Sequence, residues 1–480
     1  MRKKEEKLIE RAKIISVREA GAYSLMDGFG SRYITPFANA MGVSNTYIGM
    51  LTSIPSLLGN FSQLFSLRFM EKYSRQKIVF ISVLLQSIMW LILIFLGSAY
   101  FIFDFSKTMT SILLVVIYTF LIIFGAIAGP AWSSWMKDLV VKDRGAYFGR
   151  RSRIAGALAL IFFFIGGFIL DYFKQTKIFI AFAILFSLAF FGRFISAAYF
   201  LKQYEPKLKL EKGYYFSFID FFKKMPFNNF GRFSIFISLI NFSAALSSPF
   251  FAIYLLENIQ LKSINFGYII YTLISISASI ISILFISRWG KFADKYGNYK
   301  VMRITGYFIP LIPLYYLLSS FMIGKVSLIW IVLFFIFFEG LSGWIWSGFN
   351  LASGNYIYDA VTRERMAICV AYHSVLVGIG IFIGATLGGL ISSMDFLIFG
   401  FSPILFIFLL SAISRLAVFM IMIPKIKEVR DISLPRDLKK EIAKDKKNKY
   451  PEGKSVKRFH IASFLTSLHS KIDKPRPGDN

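Results

Sequence analysis

Ionisable side chains lie inside long apolar segments of this 480-residue chain. Asp27 and Arg32 lie in the first segment, and Glu339 lies in the tenth. A charged side chain at the centre of a membrane helix costs about 2.5–3.5 kcal/mol, so each residue needs a compensating role. An acid there can accept a proton or bind a cationic group, and an arginine can hold a carboxylate or phosphate. These three residues are the leading candidates for binding a solute or a proton.

Each of these candidates also has a structural interpretation. Asp27 and Arg32 are five residues apart, a spacing that places them on different faces of an α-helix and disfavours direct pairing. The alternative is that the two charges neutralise each other or a neighbouring helix, and that Glu339 is a protonated packing residue. Asn241 in the seventh segment and Tyr23 in the first are weaker candidates, because both also suit hydrogen bonding between helices.

The elements that carry these residues follow from composition. The chain is 56% hydrophobic and 17% charged, and its mean hydropathy is +0.60, which no soluble domain can bury. The apolar residues form blocks long enough to cross hydrocarbon, which takes about 20 residues. We predict an all-α polytopic membrane protein with twelve spans, at residues 18–41, 46–68, 77–99, 110–133, 152–172, 177–201, 233–256, 264–288, 300–321, 327–349, 367–391 and 397–424.

The net charge of +28 would indicate nucleic-acid binding only if the basic residues shared one soluble face. They lie instead between the predicted spans, with 47 of the 55 Lys and Arg on one side of the membrane and 5 on the other. By the positive-inside rule, this asymmetry predicts a multi-pass protein of the cell membrane with both termini in the cytoplasm. We expect anionic lipid headgroups as partners and no nucleic acid.

The chain divides by hydropathy into five parts. We predict a charged helical arm at 1–17, a six-helix bundle at 18–201, a cytoplasmic loop at 202–232, a second bundle at 233–424 and a basic tail at 425–480. In the loop, the stretch 214–222 is rich in aromatic residues and is followed by two lysines. They form either an interfacial helix on anionic lipid or part of an irregular basic loop.

An internal repeat relates the two bundles. Asp138 and Arg144 match Asp359 and Arg365 at an offset of 221 residues, and Arg193 matches Arg415 at 222. Six spans per copy is an even number, so both copies enter the membrane from the same side and form a parallel repeat. Repetition of an arginine within predicted spans favours a structural role, either snorkelling or bonding to backbone carbonyls.

The loop after the eighth span carries the pattern Gly290-x-x-x-Asp294-Lys295-x-Gly297. It resembles the G-x-x-x-D-[RK]-x-G signature of the major facilitator superfamily, and Glu71 stands in the first-half counterpart, which lacks both glycines. The resemblance implies a cavity lined by spans one, four, seven and ten. It also implies that charges at cytoplasmic helix ends close the inner side; these gating candidates are Gly290, Asp294, Lys295, Gly297, Glu71, Arg144 and Arg365.

The resemblance predicts a secondary active transporter that moves a small solute by alternating access, with proton coupling suggested by Asp27 and Glu339. The sequence carries no G-x-x-x-x-G-K-[ST] loop for ATP. We expect a monomer without cofactor or metal, and not an enzyme. A polytopic membrane enzyme or lipid-handling protein stays the alternative, as does multidrug efflux in place of nutrient or metabolite transport. In span eleven, the glycines at 380, 384, 388 and 389 predict close helix packing.

Overall fold

The computed structural model describes residues 2–140, 144–174, 177–206, 218–361 and 366–429. Within these ranges the chain forms helices joined by short turns. The first half of the chain contains α1 (Arg2–Leu25), α2 (Ile34–Ala40), α3 (Asn45–Lys72), α4 (Arg75–Phe101), α5 (Lys107–Leu139), α6 (Arg144–Phe173) and α7 (Ile178–Lys202). The rest contains α8 (Phe218–Lys224), α9 (Asn229–Ala245), α10 (Phe251–Ile253), α11 (Gly267–Tyr296), α12 (Asn298–Phe308), α13 (Leu311–Ser319), α14 (Leu328–Ala360), α15 (Met366–Ser392) and α16 (Pro403–Met422).

Helices occupy all twelve places at which the sequence predicts a span, and the all-α prediction is confirmed. Ten of the described helical segments are long and apolar enough to cross a membrane. The other two places are the first span, α1 to α2, and the second span, α3, along which polar side chains are spread. The twelfth span begins at Pro403 rather than at 397, because a turn with Gly400 at a φ of +80° precedes it.

The predicted arm and loop are partly described. Helix α1 runs without a break from the predicted arm into the first span. In the loop, α8 covers part of the predicted aromatic helix. Residues 207–217 and the tail from 430 onward lie outside the described residues.

Two spans that the repeat relates, the first and the seventh, contain irregular turns. In the first span a π-helical turn, Met26–Gly30, and a 3₁₀ turn, Ser31–Tyr33, separate α1 from α2. In the seventh span the 3₁₀ turn Ser248–Phe250 and the π-helical turn Tyr254–Asn258 flank α10. Irregular backbone inside a membrane is tolerated where protein or a water-filled cavity surrounds it, and π-turns are frequent at functional sites. The irregular turns of the first and seventh spans therefore begin at equivalent positions of the two repeats.

The predicted close packing of the span-eleven glycines is confirmed. Cβ atoms placed at Gly380 and Gly384 would overlap carbonyl oxygens of α9, and one at Gly388 would overlap the carbonyl oxygen of the residue that follows α9. These glycines recur every four residues, so they form one stripe along α15. The stripe lets the two backbones approach more closely than any side chain would allow.

The two halves contact each other on the side of the bundle opposite the chain ends. Helix α3 packs along α15, where the Thr46 hydroxyl donates to the Ser393 hydroxyl at 2.7 Å. Helix α6 packs against the start of α11. Toward the side of the chain ends, nothing lies within 4 Å of a Cβ placed at Gly129, Gly156 or Gly354. The bundle is thus closed on one side, with open space beside helices at the other.

Candidate functional site

A cavity of about 360 Å³ lies between the two halves. The irregular turns of the first and seventh spans contribute to its wall. Its polar lining comes from Arg32, Thr35 and Thr52 of the first half and from Ser248, Tyr271, Ser275, Tyr316 and Glu339 of the second. The structure therefore brings two of the three leading candidates, Arg32 and Glu339, into one cavity from opposite halves.

Arg32 pairs directly with Asp27, so the prediction that their spacing disfavours pairing is wrong. Both Nε and Nη2 of Arg32 lie 3.4 Å from Oδ2 of Asp27. The physical reason is the turn Met26–Gly30, because a π-helix bonds residue i to i+5 and places five residues close to one full turn. The guanidinium also lies over the Phe163 ring at 5.3 Å. The pair is long and about one-third exposed, so the Arg32 charge is only partly compensated.

Glu339 is held by two consecutive tyrosines. The hydroxyls of Tyr315 and Tyr316 both donate to its Oε1, at 2.9 and 2.6 Å. The two tyrosines lie on α13, which follows the break in the ninth span at Pro310. Tyr316 stacks on Phe251 of the seventh span, with ring centroids 4.3 Å apart. Helices from three spans therefore fix this carboxylate at the cavity wall.

The two weaker candidates lie apart from the residues that line this cavity. Tyr23 is 39% exposed and carries the Arg193 guanidinium over its ring at 5.2 Å. Asn241 donates to the carbonyl of Ile237, at 2.8 Å, within its own helix. This bond satisfies the amide locally and does not join two helices.

Glu19 is a buried acid that the sequence reasoning missed. Its carboxylate accepts from Arg151 at 2.7 Å and from the Ser196 hydroxyl at 2.7 Å, and it lies 3.8 Å from Arg193. Arg193 also donates to the Gln86 side chain at 2.6 Å. The network compensates two cations within the first half, since a buried charge is stable only when it is paired.

The repeated arginines are both buried, and their partners differ. Arg193 bonds to side chains, so the prediction of snorkelling or carbonyl bonding is wrong for it. Arg415 donates to the carbonyls of Ile309 and Ala244, each at 3.3 Å, which confirms the prediction for the second copy. The Arg415 guanidinium also reaches the Ser247 hydroxyl at 3.0 Å.

Arg75 is the centre of a cluster at the chain-end side of the first half. It is fully buried and donates to Asp138 at 2.6 Å and to Glu205 at 3.1 Å. The equivalent residues in the second half are Asn298, Asp359 and Glu428. There Asn298 donates to Asp359 at 2.7 Å, and Glu428 accepts the Tyr299 backbone N–H at 2.8 Å. The structure thus repeats the cluster, with an amide in place of the arginine.

The predicted gating residues are described in part. Gly297 has a φ of +88°, which favours glycine, whereas a Cβ at Gly290 would make an ordinary contact with a leucine. Glu71, Asp294 and Lys295 are exposed. Two further predicted residues lie outside what the structure describes, namely the side chain of Arg144 and all of Arg365. The gating role of this set stays a prediction.

A second missed acid, Asp171, joins the halves on the closed side. Its carboxylate accepts the backbone N–H groups of Tyr268 at 3.1 Å and Ile269 at 2.8 Å, at the start of α11. Lys174 lies 3.6 Å from it and donates to the carbonyl of Ile264. An acid at the N-terminus of a helix is stabilised by the free N–H groups and the helix dipole.

Comparison with known proteins identifies the family. The model of the Major Facilitator Superfamily matches residues 21–353. The chain belongs to the major facilitator superfamily. No curated protein sequence matches it significantly. Among the residues that the structure describes, no group of three or more His, Cys, Asp or Glu side chains is placed to hold a metal ion.

Solved structures of this superfamily have the same fold. A point mutant of the nucleoside transporter NupG is 15% identical, covers 88% of this chain and 100% of its own, and gives a TM-score of 0.64. A bacterial homologue of the iron transporter ferroportin, in the inward-facing state, is 13% identical, covers 86% and 98%, and gives 0.60. A bacterial homologue of the human lysosomal transporter Spinster, inward-facing and unoccupied, is 15% identical, covers 87% and 95%, and gives 0.52. At these identities the comparison shows the fold alone.

Proposed function

We propose that this chain is a secondary active transporter that moves a small polar solute across the cell membrane by alternating access. The observation that carries the proposal is the cavity between Arg32 and Glu339, which opposite halves of a parallel repeat build together. Transporters of this construction bind substrate near the midplane at the interface of their repeats. Rocking of the bundles 18–201 and 233–424 about such a cavity would expose it to each side in turn.

The charge distribution supports an orientation for this cycle. The basic loops and both termini lie on one side of the predicted spans, and that side is cytoplasmic by the positive-inside rule. The structure is closed on the opposite side by α3 with α15 and by α6 with α11. Together with the open space beside Gly129, Gly156 and Gly354, this closure supports our proposal that the structure is a state open toward the cytoplasm. In the other state, the chain-end charges around Asp294 would close the cytoplasmic side.

Proton coupling is part of the proposal. Asp27 and Glu339 are acids of the first and tenth spans, and each contacts a residue of the cavity lining, Arg32 and Tyr316 respectively. Protonation of either carboxylate would weaken that contact and change the charge of the cavity. Such a change links proton uptake to solute binding. We infer a proton-driven cycle in which the driving force comes from a gradient.

The test measures uptake into vesicles, with and without an engineered disulfide that joins the two halves. Purified protein is reconstituted into liposomes with an imposed pH gradient and given a uniformly ¹³C-labelled cell extract, and retained solutes are measured by mass spectrometry. In a background in which the single cysteine is replaced (Cys369→Ser), Thr46→Cys with Ser393→Cys should form a disulfide across the halves, because the two hydroxyls lie 2.7 Å apart. Ser243→Cys with Ser414→Cys, whose hydroxyls lie 2.6 Å apart within the second half, is the matched control.

Accumulation of at least one labelled solute is expected in the unlocked protein. The lock across the halves should abolish this accumulation and reduction should restore it, while the control disulfide leaves it intact. Equal uptake by the locked and reduced proteins would contradict alternating access. Absence of any accumulated solute from correctly oriented, folded protein would contradict transport itself.

A further inference from the structure

Arg32 and Glu339 each have one polar atom that makes no hydrogen bond within the described residues. The tyrosine hydroxyls both donate to Oε1 of Glu339, and among the described residues nothing donates to its Oε2. Arg32 directs Nε and Nη2 toward Asp27, and its Nη1 makes no hydrogen bond to the described residues. Neither Oε2 nor Nη1 is a buried, unsatisfied atom. Both atoms therefore retain some solvent-exposed surface.

The space between these atoms suits a small polar molecule. The cavity of about 360 Å³ is at the lower end of the range for small-molecule sites, roughly 300–1,000 Å³. Hydroxyl groups of Thr35, Thr52, Ser248 and Ser275 line it and are able to donate or accept. The ring of Phe251 supplies an apolar wall.

When water leaves the cavity, an anion on Arg32 would leave Glu339 without a charged partner, and a cation on Glu339 would leave Arg32 with only its long contact to Asp27. A buried polar group without a partner costs free energy, and a buried charge costs more. A neutral sugar would satisfy neither charge fully. A molecule with one carboxylate and one ammonium group satisfies both, by charge-assisted hydrogen bonds at opposite ends.

We infer that the transported solute is a small amino-acid zwitterion, with its carboxylate on Nη1 of Arg32 and its ammonium group on Oε2 of Glu339. This inference rests on the proposed transport function. It assigns opposite ends of the solute to opposite halves of the chain, so that binding draws the halves together around it. Asp27 and the two tyrosines are positioning residues, because they orient Arg32 and Glu339.

Binding is tested by the thermal unfolding midpoint of the purified full chain. The probes are individual amino acids, γ-aminobutyrate, the amine and the carboxylic acid that each lacks one charged group, and as neutral solutes glucose and uridine. A ligand that binds only the folded protein stabilises it in proportion to ln(1 + [L]/Kd). At least one zwitterion should raise the midpoint by about 2 °C or more, and its singly charged analogues should raise it less.

Two substitutions separate the two ends of the ligand. Glu339→Gln should weaken binding of the zwitterion about 10- to 100-fold and leave the Kd of the deaminated acid nearly unchanged, because only the ammonium contact is lost. Arg32→Gln should weaken the zwitterion similarly and leave the Kd of the decarboxylated amine nearly unchanged. A merely structural role of either residue would change all three dissociation constants together.

The inference is overturned if no zwitterion shifts the midpoint, if only glucose, uridine, the amine or the carboxylic acid does so, or if the substitutions act equally on all three ligands. The vesicle experiment separates this failure from failure of transport. Retention of a labelled solute that is not an amino acid rejects the zwitterion and leaves transport standing. Retention of no labelled solute rejects the transport function on which the inference rests.

Discussion

Asp171 is expected to set the balance between the two states of the transporter. Its carboxylate is 94% buried and accepts two backbone N–H groups of α11 across the interface between the halves. These bonds exist only while the side opposite the chain ends is closed. When that side opens, water binds the two N–H groups and the carboxylate instead. The two bonds therefore stabilise the closed side only by their net free energy, after exchange with water.

The magnitude follows from the number and type of these bonds. A hydrogen bond to a charged group contributes about 1.5–3 kcal/mol after its exchange with water is counted, so two such bonds contribute about 3–6 kcal/mol. Taking the lower end, we expect Asp171→Ala to favour the opposite-side-open state by about 3 kcal/mol, or about 150-fold in population. Asp171→Asn keeps an acceptor oxygen and loses the charge, so about 1 kcal/mol, or about fivefold, is expected.

The assay is the rate at which a membrane-impermeant maleimide, added on the side opposite the termini, labels Thr35→Cys in the Cys369→Ser background. Thr35 lines the cavity, so the rate follows the population that is open to that side. Asp104→Asn, an exposed acid in the turn between α4 and α5, is the matched control and should leave the rate unchanged. Labelling of Asp171→Ala within twofold of the parent rate, from protein with an unchanged melting temperature, would refute the reasoning.

Three further outcomes follow from the structure. Gly384→Ala should lower the free energy of unfolding by about 1–3 kcal/mol, because the new Cβ would overlap α9. Gly354→Ala lies beside open space and should leave it unchanged, so equal thermal unfolding midpoints for the two variants would refute the tight contact. Arg75→Ala should cost about 3 kcal/mol because it leaves two acids unpaired, and an unchanged midpoint would show that water compensates them. Asp27→Asn or Glu339→Gln should make vesicle uptake independent of the imposed pH gradient; if both variants still follow the gradient as the parent does, neither acid carries the coupling.

Hydropathy was sufficient to locate the helices because the membrane imposes a length and a composition on each span. Arg32 and Glu339 could also be selected from sequence, since a charge within an apolar span is costly and requires an explanation. The glycine stripe was found for a similar reason. A repeat of small residues at helical spacing indicates contact between backbones.

The roles of Glu19 and Asp171 could not be predicted, because their partners are distant in sequence. Glu19 meets Arg151 132 residues away, and Asp171 meets Ile269 98 residues away. The pairing of Asp27 with Arg32 is local, yet it was predicted wrongly because an α-helical period was assumed where the backbone forms a π-turn. Two glycines, at 28 and 30, mark that turn in sequence, where close neighbours leave no room for side chains.

The central claim is that one cavity opens to each side of the membrane in turn. The most direct measurement is labelling of Thr35→Cys by the impermeant maleimide from each side, with and without the Thr46→Cys/Ser393→Cys disulfide. We predict labelling from both sides in the reduced protein and only from the side of the termini in the locked protein. Labelling from one side alone in the reduced protein, or labelling from both sides in the locked protein, would contradict the account.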